Sequence, residues 1–418
     1  MAHKRMNWMF LYGIILLFIG FSFQSVRAQA TITVVNNDGA GEGFNDPTPF
    51  TPVGGNPATT LGAAHLYAFQ FAANLWGACI NSPVTILVNA TMDPLSCTAN
   101  SAVLGSAGAT TVHRDFTNAP VANTWYPQAL ANSLAGFDLS GANADISASF
   151  NINIGTTGCL ESLSWYLGVD GKAPAGTIDF VTVVLHEIGH GLGFQTFVSL
   201  STGAKFVGRD DTYMLNLEHH GATPSDYPSM TDAQRVAASI ADPNLHWTGT
   251  NGVTEASAIL TGGFLNGHVQ MHGPNPNQPG SSVSHFSTAL TPSELMEPSY
   301  TGPDHSVGLT LPVYQDIGWS INDKSTDTNL PTVSVATVSG GTVTGSFTDN
   351  FPLGIVEVKS LTGGAALSVD SQSLVQGQIQ SFNKSTLNVT ATGSSGARIE
   401  VVITDIAGNR RVWVYKFL

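Results

Sequence analysis

One helical segment constrains this chain more than any other feature. Residues 180–192 contain no proline, are apolar at most positions and are followed by Gly193, which is typical of a buried helix with a glycine exit. The same segment carries His186, Glu187 and His190. Burying polar side chains costs free energy unless they find partners, so we expect the fold to bring a partner to these three residues.

The spacing His-Glu-x-x-His is the pattern of a zinc site. Residues four apart lie on one face of a helix, so the rings of His186 and His190 can reach one ion at about 2.0–2.1 Å. Glu187 then lies beside the ion, where a carboxylate can take a proton from water and pass it to a leaving amine. The motif therefore predicts a zinc-dependent hydrolase of peptide bonds, with zinc as cofactor and Glu187 as general base.

A catalytic zinc ion usually takes three protein ligands and keeps a fourth position for water. A histidine six residues after His190 would be one solution, but Thr196 occupies that position. One later residue, His285, stands out because Leu-Met-Glu-Pro and a capped helix follow it, and His305 is a second choice. The full set of later candidates comprises His219, His220, His246, His268, His272, His285, His305, Glu218, Glu255 and Glu294.

These residues together resemble the metzincin metalloproteases, and among them the leishmanolysin-type branch. The likeness rests on His-Glu-x-x-His-Gly-Leu-Gly-Phe at 186–194, on an insertion before a distant third histidine, and on Leu-Met-Glu-Pro at 295–298. The resemblance implies that His285 is the third zinc ligand and that Met296 lies in a tight turn beneath the metal. It also implies that Gly193 forms the bend after the helix.

The resemblance further implies how a substrate would bind. The alternating run at 145–153 would edge the cleft and pair with an extended peptide through backbone hydrogen bonds. Tyr300 would offer its hydroxyl to the developing oxyanion. The likeness covers residues 186 to about 319. The chain departs from the family in its cysteines, because leishmanolysin-like enzymes are rich in disulfides and this chain has only Cys79, Cys97 and Cys159, of which two could pair.

Two other interpretations fit the same motif. A gluzincin-type protease would take its third ligand from a glutamate, for which Glu255 is the best candidate, although no Asn-Glu-x-x-Ser-Asp-like helix supports it. A non-catalytic surface adhesin would use a structural zinc site, which would not need the base Glu187. A calcium site at Asp46 or at the pair Asp210 and Asp211 has no support beyond the acidic side chains themselves.

The N-terminus predicts export. A basic start, an apolar run at 8–21 and the small residues Ala28 and Ala30 indicate a signal peptide over residues 1–30, so we expect the mature chain to be secreted or at the cell surface. No later stretch reaches the roughly 20 apolar residues of a transmembrane helix. Only 11% of residues are charged and the net charge is −14, which argues against a nucleic-acid partner. The expected partner is a protein or peptide substrate.

The rest of the pattern predicts an α+β fold in two domains. A metzincin-like protease domain, a twisted sheet plus the active-site helix, would occupy residues 31–321, with an insertion at about 195–284. Its helices are expected from Thr59 or Thr60 to Gly77 and at 129–134, 180–192, 231–241 and 310–317 with Thr310 as cap, and its strands at 31–35, 84–88 and 145–153.

A polar linker at 322–330 precedes a second domain over residues 331–418. This part contains no histidine or cysteine and consists of short alternating runs at 333–335, 342–347, 355–361, 387–390, 399–403 and 412–415, which predict a small all-β sandwich. The segment Asp-Ile-Ala-Gly-Asn at 405–409 resembles immunoglobulin-like modules of bacterial surface proteins. That likeness implies a spacer or a module for a surface or polysaccharide partner.

Overall fold

A computed structural model describes residues 29–141, 143–322 and 327–418. Nearly all of the predicted signal peptide, and residues 323–326 of the predicted linker, lie outside the described residues. The described residues form two hydrophobic cores, one built from residues between Ala30 and Trp319 and the other between Val343 and Phe417. The chain is therefore a mixed α+β unit followed by an all-β sandwich, as the sequence predicts at this coarse level.

The first unit contains short helices and strands in alternation. In chain order these are β1 (Ile32–Asn36), α1 (Leu61–Cys79), β2 (Ile86–Asp93), β3 (Gly105–Ala109), β4 (Val112–His113), β5 (Thr124–Pro127), α2 (Gln128–Ala135), β6 (Ile146–Asn151), β7 (Ser164–Tyr166), β8 (Thr177–Asp179), α3 (Phe180–Leu192), β9 (Asp210–Asp211), β10 (Leu217–His219), α4 (Asp232–Ala238), β11 (Leu245–Trp247), α5 (Thr250–Ile259), β12 (Phe264–Leu265), β13 (His268–Gln270) and α6 (Thr310–Ile317).

The main sheet has the strand order β1-β2-β6-β3. Strands β1, β2 and β6 run parallel, and β3 is antiparallel to β6 at the edge. The runs predicted as strands at 84–88 and 145–153 both belong to this sheet, since Val88 is paired with Ile146. The prediction that 145–153 edges the cleft is wrong, because β6 has a strand on each side and β3 takes the edge.

Helix α1 packs against α3, and the indole of Trp76 donates a hydrogen bond to Leu185 O at 2.9 Å. We expected Gly77 to end α1, but the helix continues to Cys79. Gly77 is needed for close packing instead, since a Cβ there would lie 2.5 Å from Ala30 O. Thr60 occupies the N-cap position of α1 without a side-chain cap hydrogen bond.

Helix α3 forms as predicted and is buried along almost its whole length. The Asp179 carboxylate caps it by accepting a hydrogen bond from Thr182 N, which satisfies one of the unpaired amides of the first turn. Gly191 lets the helix approach β6, because a Cβ there would lie 2.4 Å from the Ile146 side chain. This contact places α3 directly against the main sheet.

The segment after α3, predicted from the sequence to be an insertion, forms a small antiparallel sheet in the order β10-β11-β13-β12, called the insertion sheet below. Helix α4 begins at a capping box in which Thr231 and Gln234 satisfy each other's backbone amides. Helix α6 covers the predicted range, and Gly318 ends it with φ of 115°. Thr310 is the first residue of α6 and not its cap, which is Leu309.

One disulfide joins Cys97, in the loop after β2, to Cys159, in the loop after β6. Cys79 is buried in the core at the end of α1. The sequence left the pairing open, and the structure assigns it to the loop between β2 and β3 and the loop after β6. Among the helices that the structure describes, none is long and apolar enough to span a bilayer.

The second unit contains seven strands, β14 (Thr332–Ser339), β15 (Thr342–Thr362), β16 (Ala366–Val369), β17 (Gln372–Leu374), β18 (Ile379–Thr392), β19 (Arg398–Asp405) and β20 (Arg410–Lys416). Their order in the sheet is β17-β16-β18-β15-β19-β20, and β14 is paired to β15. The runs predicted at 342–347 and 355–361 are one long strand with register shifts. The Tyr67 hydroxyl of α1 donates to Ile379 O at 2.7 Å, so the sandwich packs on α1.

Candidate metal centre

Three imidazole rings converge at one point. His186 and His190 project from adjacent turns of α3, and His285 comes from the segment that follows the insertion sheet. The three Nε2 atoms are separated by 3.1 Å, 3.1 Å and 3.2 Å. The structure thus brings together the three histidines that the sequence nominated as metal ligands.

Each ring is held by a backbone carbonyl on its other side. Nδ1 of His186 lies 2.8 Å from Leu295 O, Nδ1 of His190 lies 2.9 Å from Phe194 O, and Nδ1 of His285 lies 2.8 Å from Ser281 O. A carbonyl oxygen only accepts, so each Nδ1 carries the hydrogen and, in a neutral ring, each Nε2 presents a lone pair.

The three Nε2 atoms therefore cannot hydrogen-bond to one another. Burial lowers the pKa of all three rings, that of His190 to about 3, so the rings are neutral near neutral pH. Ligands at about 2.0–2.1 Å in a tetrahedral arrangement would be separated by roughly 3.3 Å, close to the spacing seen here. The donor set fits a divalent metal, with carbonyls fixing each ring as they do in metal sites generally.

Glu187 lies beside the point where the three Nε2 atoms converge, and it is 7% exposed. The Ala107 amide of β3 hydrogen-bonds to its carboxylate, and burial raises the pKa of Glu187 to about 8. A nearby dication would favour the ionised form and oppose that rise. Gly105 leaves room for the side chain, since a Cβ there would lie 2.8 Å from Glu187 Cγ.

The floor of the site is the turn that contains Met296, which is fully buried. A Cβ at Gly189, between the two histidines of α3, would lie 2.7 Å from Met296 Sδ, so the methionine fills the space that this glycine leaves. The preceding residue, Leu295, supplies the carbonyl that orients His186. Phe286 N donates to Met296 O at 2.9 Å, which ties the turn to the segment of His285.

The exit of α3 orients His190. Gly193 has φ of 125°, a conformation that side chains disfavour, and the chain turns there so that Phe194 O comes back to the ring. The Trp319 indole donates to Leu192 O and the Tyr314 hydroxyl donates to Gly189 O, so the segment around α6 also fixes this end of the helix.

Three residues considered for the site do not join the three histidines. His305 Nε2 lies 2.9 Å from Asp179 Oδ1, at the beginning of α3, so the reserve ligand is not at the metal centre. Tyr300 lines the cleft over the histidines, but its hydroxyl accepts from Asp179 N at the beginning of α3, about 10 Å along the helix axis from His186, which argues against the oxyanion role. Glu255 is exposed on α5.

A cleft of about 1250 Å³ lies over the three histidines and Glu187. One wall is the segment 100–107, which leads into and includes the start of β3, and the other comes from 279–285 and 292–308. Sequence reasoning missed the β3 wall because Gly-Ser-Ala-Gly-Ala has no bulky side chains to produce an alternating pattern. The only available signal was its lack of large side chains.

Two further groups of potential ligands occur among the described residues. One comprises Glu218, His220 and His246, and the other Asp327, Asp349 and Asp405. The aspartates proposed for calcium belong to neither group and have protein partners, which argues against that calcium site. Asp46 accepts from Thr48 N, Asp210 pairs with Lys205, and Asp211 accepts from Phe197 N and Met214 N.

Comparisons with known proteins place the chain in no family. No family model and no curated protein matches it. Similar solved structures include a conjugate transposon protein from Bacteroides vulgatus (TM-score 0.19, 17% identity, 23% of this chain and 90% of that one). A second is a lipoprotein from Bacteroides thetaiotaomicron (TM-score 0.19, 12% identity, 22% of this chain and 81% of that one). A third is a conjugative transposon lipoprotein from Bacteroides eggerthii (TM-score 0.18, 18% identity, 20% of this chain and 93% of that one). TM-scores this low support no statement about fold or function.

Proposed function

We propose that this chain is a secreted zinc-dependent endopeptidase of the metzincin type, similar to the leishmanolysin branch. One observation carries the proposal: three neutral Nε2 atoms converge at 3.1–3.2 Å beside the buried carboxylate of Glu187. Met296 under the site and Gly193 at the helix exit support the metzincin assignment.

His186, His190 and His285 would hold the zinc ion. When bound, zinc would act as a Lewis acid and lower the pKa of bound water towards about 7. The Glu187 carboxylate takes a proton from the attacking water and passes it to the leaving amine. The Ala107 amide orients that carboxylate. The backbone carbonyls that hold each Nδ1 keep the rings fixed while the proton moves.

Strand β3 provides the surface for an extended substrate. The Ala107 amide faces Glu187, so the backbone of this residue points away from β6 and into the cleft. Backbone groups at alternate residues of a strand point the same way, so Gly105 presents its own to the cleft. A peptide could add to this edge through main-chain hydrogen bonds, which tolerate many substrate sequences.

The two rival interpretations have less support. Glu255 is exposed on α5 and belongs to none of the ligand groups found among the described residues, so the best gluzincin-type candidate does not join the three histidines. A structural zinc site is closed by four protein ligands, whereas this one gathers three under an open cleft with a carboxylate beside them.

An extracellular location is part of the proposal. The basic and apolar pattern of residues 1–30 supports it, and so does the disulfide between Cys97 and Cys159, since disulfides persist in oxidising compartments. The C-terminal sandwich would then act as a spacer or bind a surface or polysaccharide partner.

The test is proteolysis of an unfolded protein by the purified mature chain and by Glu187→Gln. We expect the variant to keep its zinc and to lose about 10²–10⁴-fold in turnover, the usual contribution of a general base. A metal chelator should abolish wild-type activity, and added zinc should restore it.

The matched control is Glu255→Gln, which changes an exposed glutamate of α5 and should leave zinc content and turnover unchanged. If Glu187→Gln cleaved as fast as the wild type, the proposal would be wrong. If Glu255→Gln lost zinc, the gluzincin interpretation would replace it.

A further inference from the structure

A second group of histidines gathers on one face of the insertion sheet. Glu218 on β10 is paired directly with His246 on β11, so their side chains lie on the same face. His220 follows two residues after Glu218, and His268 lies two residues before the partner of His246 on β13. The alternation of strands therefore places all four side chains on that face.

The three histidines converge on one oxygen of the Glu218 carboxylate. Glu218 Oε1 lies 3.2 Å from His246 Nδ1, 3.4 Å from His220 Nδ1 and 2.7 Å from His268 Nδ1. The His246 side chain is 0% exposed and that of Glu218 14%, whereas those of His268 and His220 are 30% and 44% exposed. The cluster is thus buried at one end and open to solvent at the other.

The tautomer of His246 reveals a conflict within the cluster. Its Nε2 lies 2.9 Å from Pro243 O, which can only accept, so Nε2 carries the hydrogen. In the neutral ring Nδ1 is then an acceptor that faces Glu218 Oε1 at 3.2 Å. Two acceptors in contact inside a protein repel each other, and a positive charge between them, on a metal ion or on a proton, removes the repulsion.

We propose that Glu218, His220 and His246 form a second metal site, for a transition-metal dication such as Zn²⁺. The separations of Glu218 Oε1 from the two Nδ1 atoms, 3.2 Å and 3.4 Å, match the roughly 3.3 Å edge of a tetrahedral zinc site. His268 donates to the same carboxylate and orients it, as partners of metal ligands do.

The site braces the segment that carries His285. Strand β13 runs on into residues that pair with that segment: His272 N donates to His285 O at 2.9 Å, and Ser287 N donates to Gln270 O at 3.0 Å. A metal ion that links β10 to β11 would therefore stiffen the insertion sheet, which contains β13, and with it the segment of His285 that pairs with the chain after β13. This role is structural and separate from the chemistry proposed for Glu187.

The test is zinc content of the full mature chain after removal of metal, addition of Zn²⁺ and dialysis. We expect about two zinc ions per chain in the wild type and about one in the double variant Glu218→Gln/His220→Ala. Because the His220 side chain is largely exposed and both changes avoid the buried His246, the variant should fold, which circular dichroism checks.

His219→Ala is the matched control, since His219 neighbours His220 but lies on the opposite face of β10 and should leave both ions bound. A zinc content that is the same in the double variant and in the wild type would overturn the proposal and leave a hydrogen-bonded histidine–glutamate network. Failure of the proposed function would give a different result, because the zinc content of His285→Ala would then equal that of the wild type.

Discussion

The two histidine clusters of this protein differ in how the chain builds them. The first takes two ligands from one helical face, four residues apart, and the third from 95 residues further on. The second takes its ligands from neighbouring strands of a small sheet, through the pairing of Glu218 with His246. Helical spacing is visible in a sequence, whereas strand register is set by tertiary structure, so only the first cluster can be found by its motif.

The clusters also differ in what surrounds them. The first consists of three nitrogen donors beneath a cleft of about 1250 Å³, with the carboxylate of Glu187 beside the ligands. In the second, the carboxylate of Glu218 is itself a ligand, so no base is left over. The comparison predicts a catalytic metal in one case and a structural metal in the other.

Loss of a ligand in the first cluster should have the largest effect. His285→Ala leaves two nitrogen donors, so we expect zinc to be lost from this site and turnover to fall at least as far as in Glu187→Gln, about 10²–10⁴-fold. Zinc content distinguishes the two variants, because Glu187→Gln should retain its metal. If His285→Ala held as much zinc as the wild type, His285 would not be a zinc ligand and the contrast drawn between the two clusters would be wrong.

A smaller effect is expected from crowding the base. A Cβ at Gly105 would lie 2.8 Å from Glu187 Cγ, so Gly105→Ala should displace the carboxylate and reduce kcat by roughly tenfold, about 1.4 kcal/mol, while zinc stays bound. Gly108→Ala on the same strand is the matched control, since its Cβ would approach nothing closer than 3.5 Å. Equal losses in the two variants would show that β3 does not position Glu187.

Much of the first cluster was accessible from the sequence. The buried helix with His186, Glu187 and His190 follows from local periodicity, and the neighbouring Leu-Met-Glu-Pro segment singled out His285. The second cluster was not accessible, although its members stood among the candidates for the third ligand. Nothing in the order of residues 218–268 fixes which strands become neighbours.

The fold was predictable to the same degree. Amphipathic or buried segments such as α3 and β6 were located within a few residues. The edge strand β3 was missed because its small side chains give no alternation, and the cleft wall was therefore assigned to β6. Gly77 was misread as a helix end because close packing on Ala30 O, and not a turn, requires it.

Zinc-edge anomalous diffraction from crystals of the mature chain tests the central claim most directly. We expect a peak about 2.0–2.1 Å from the Nε2 atoms of His186, His190 and His285, within reach of Glu187. Absence of a peak between these three nitrogens, in crystals that hold zinc elsewhere on the chain, would contradict the account.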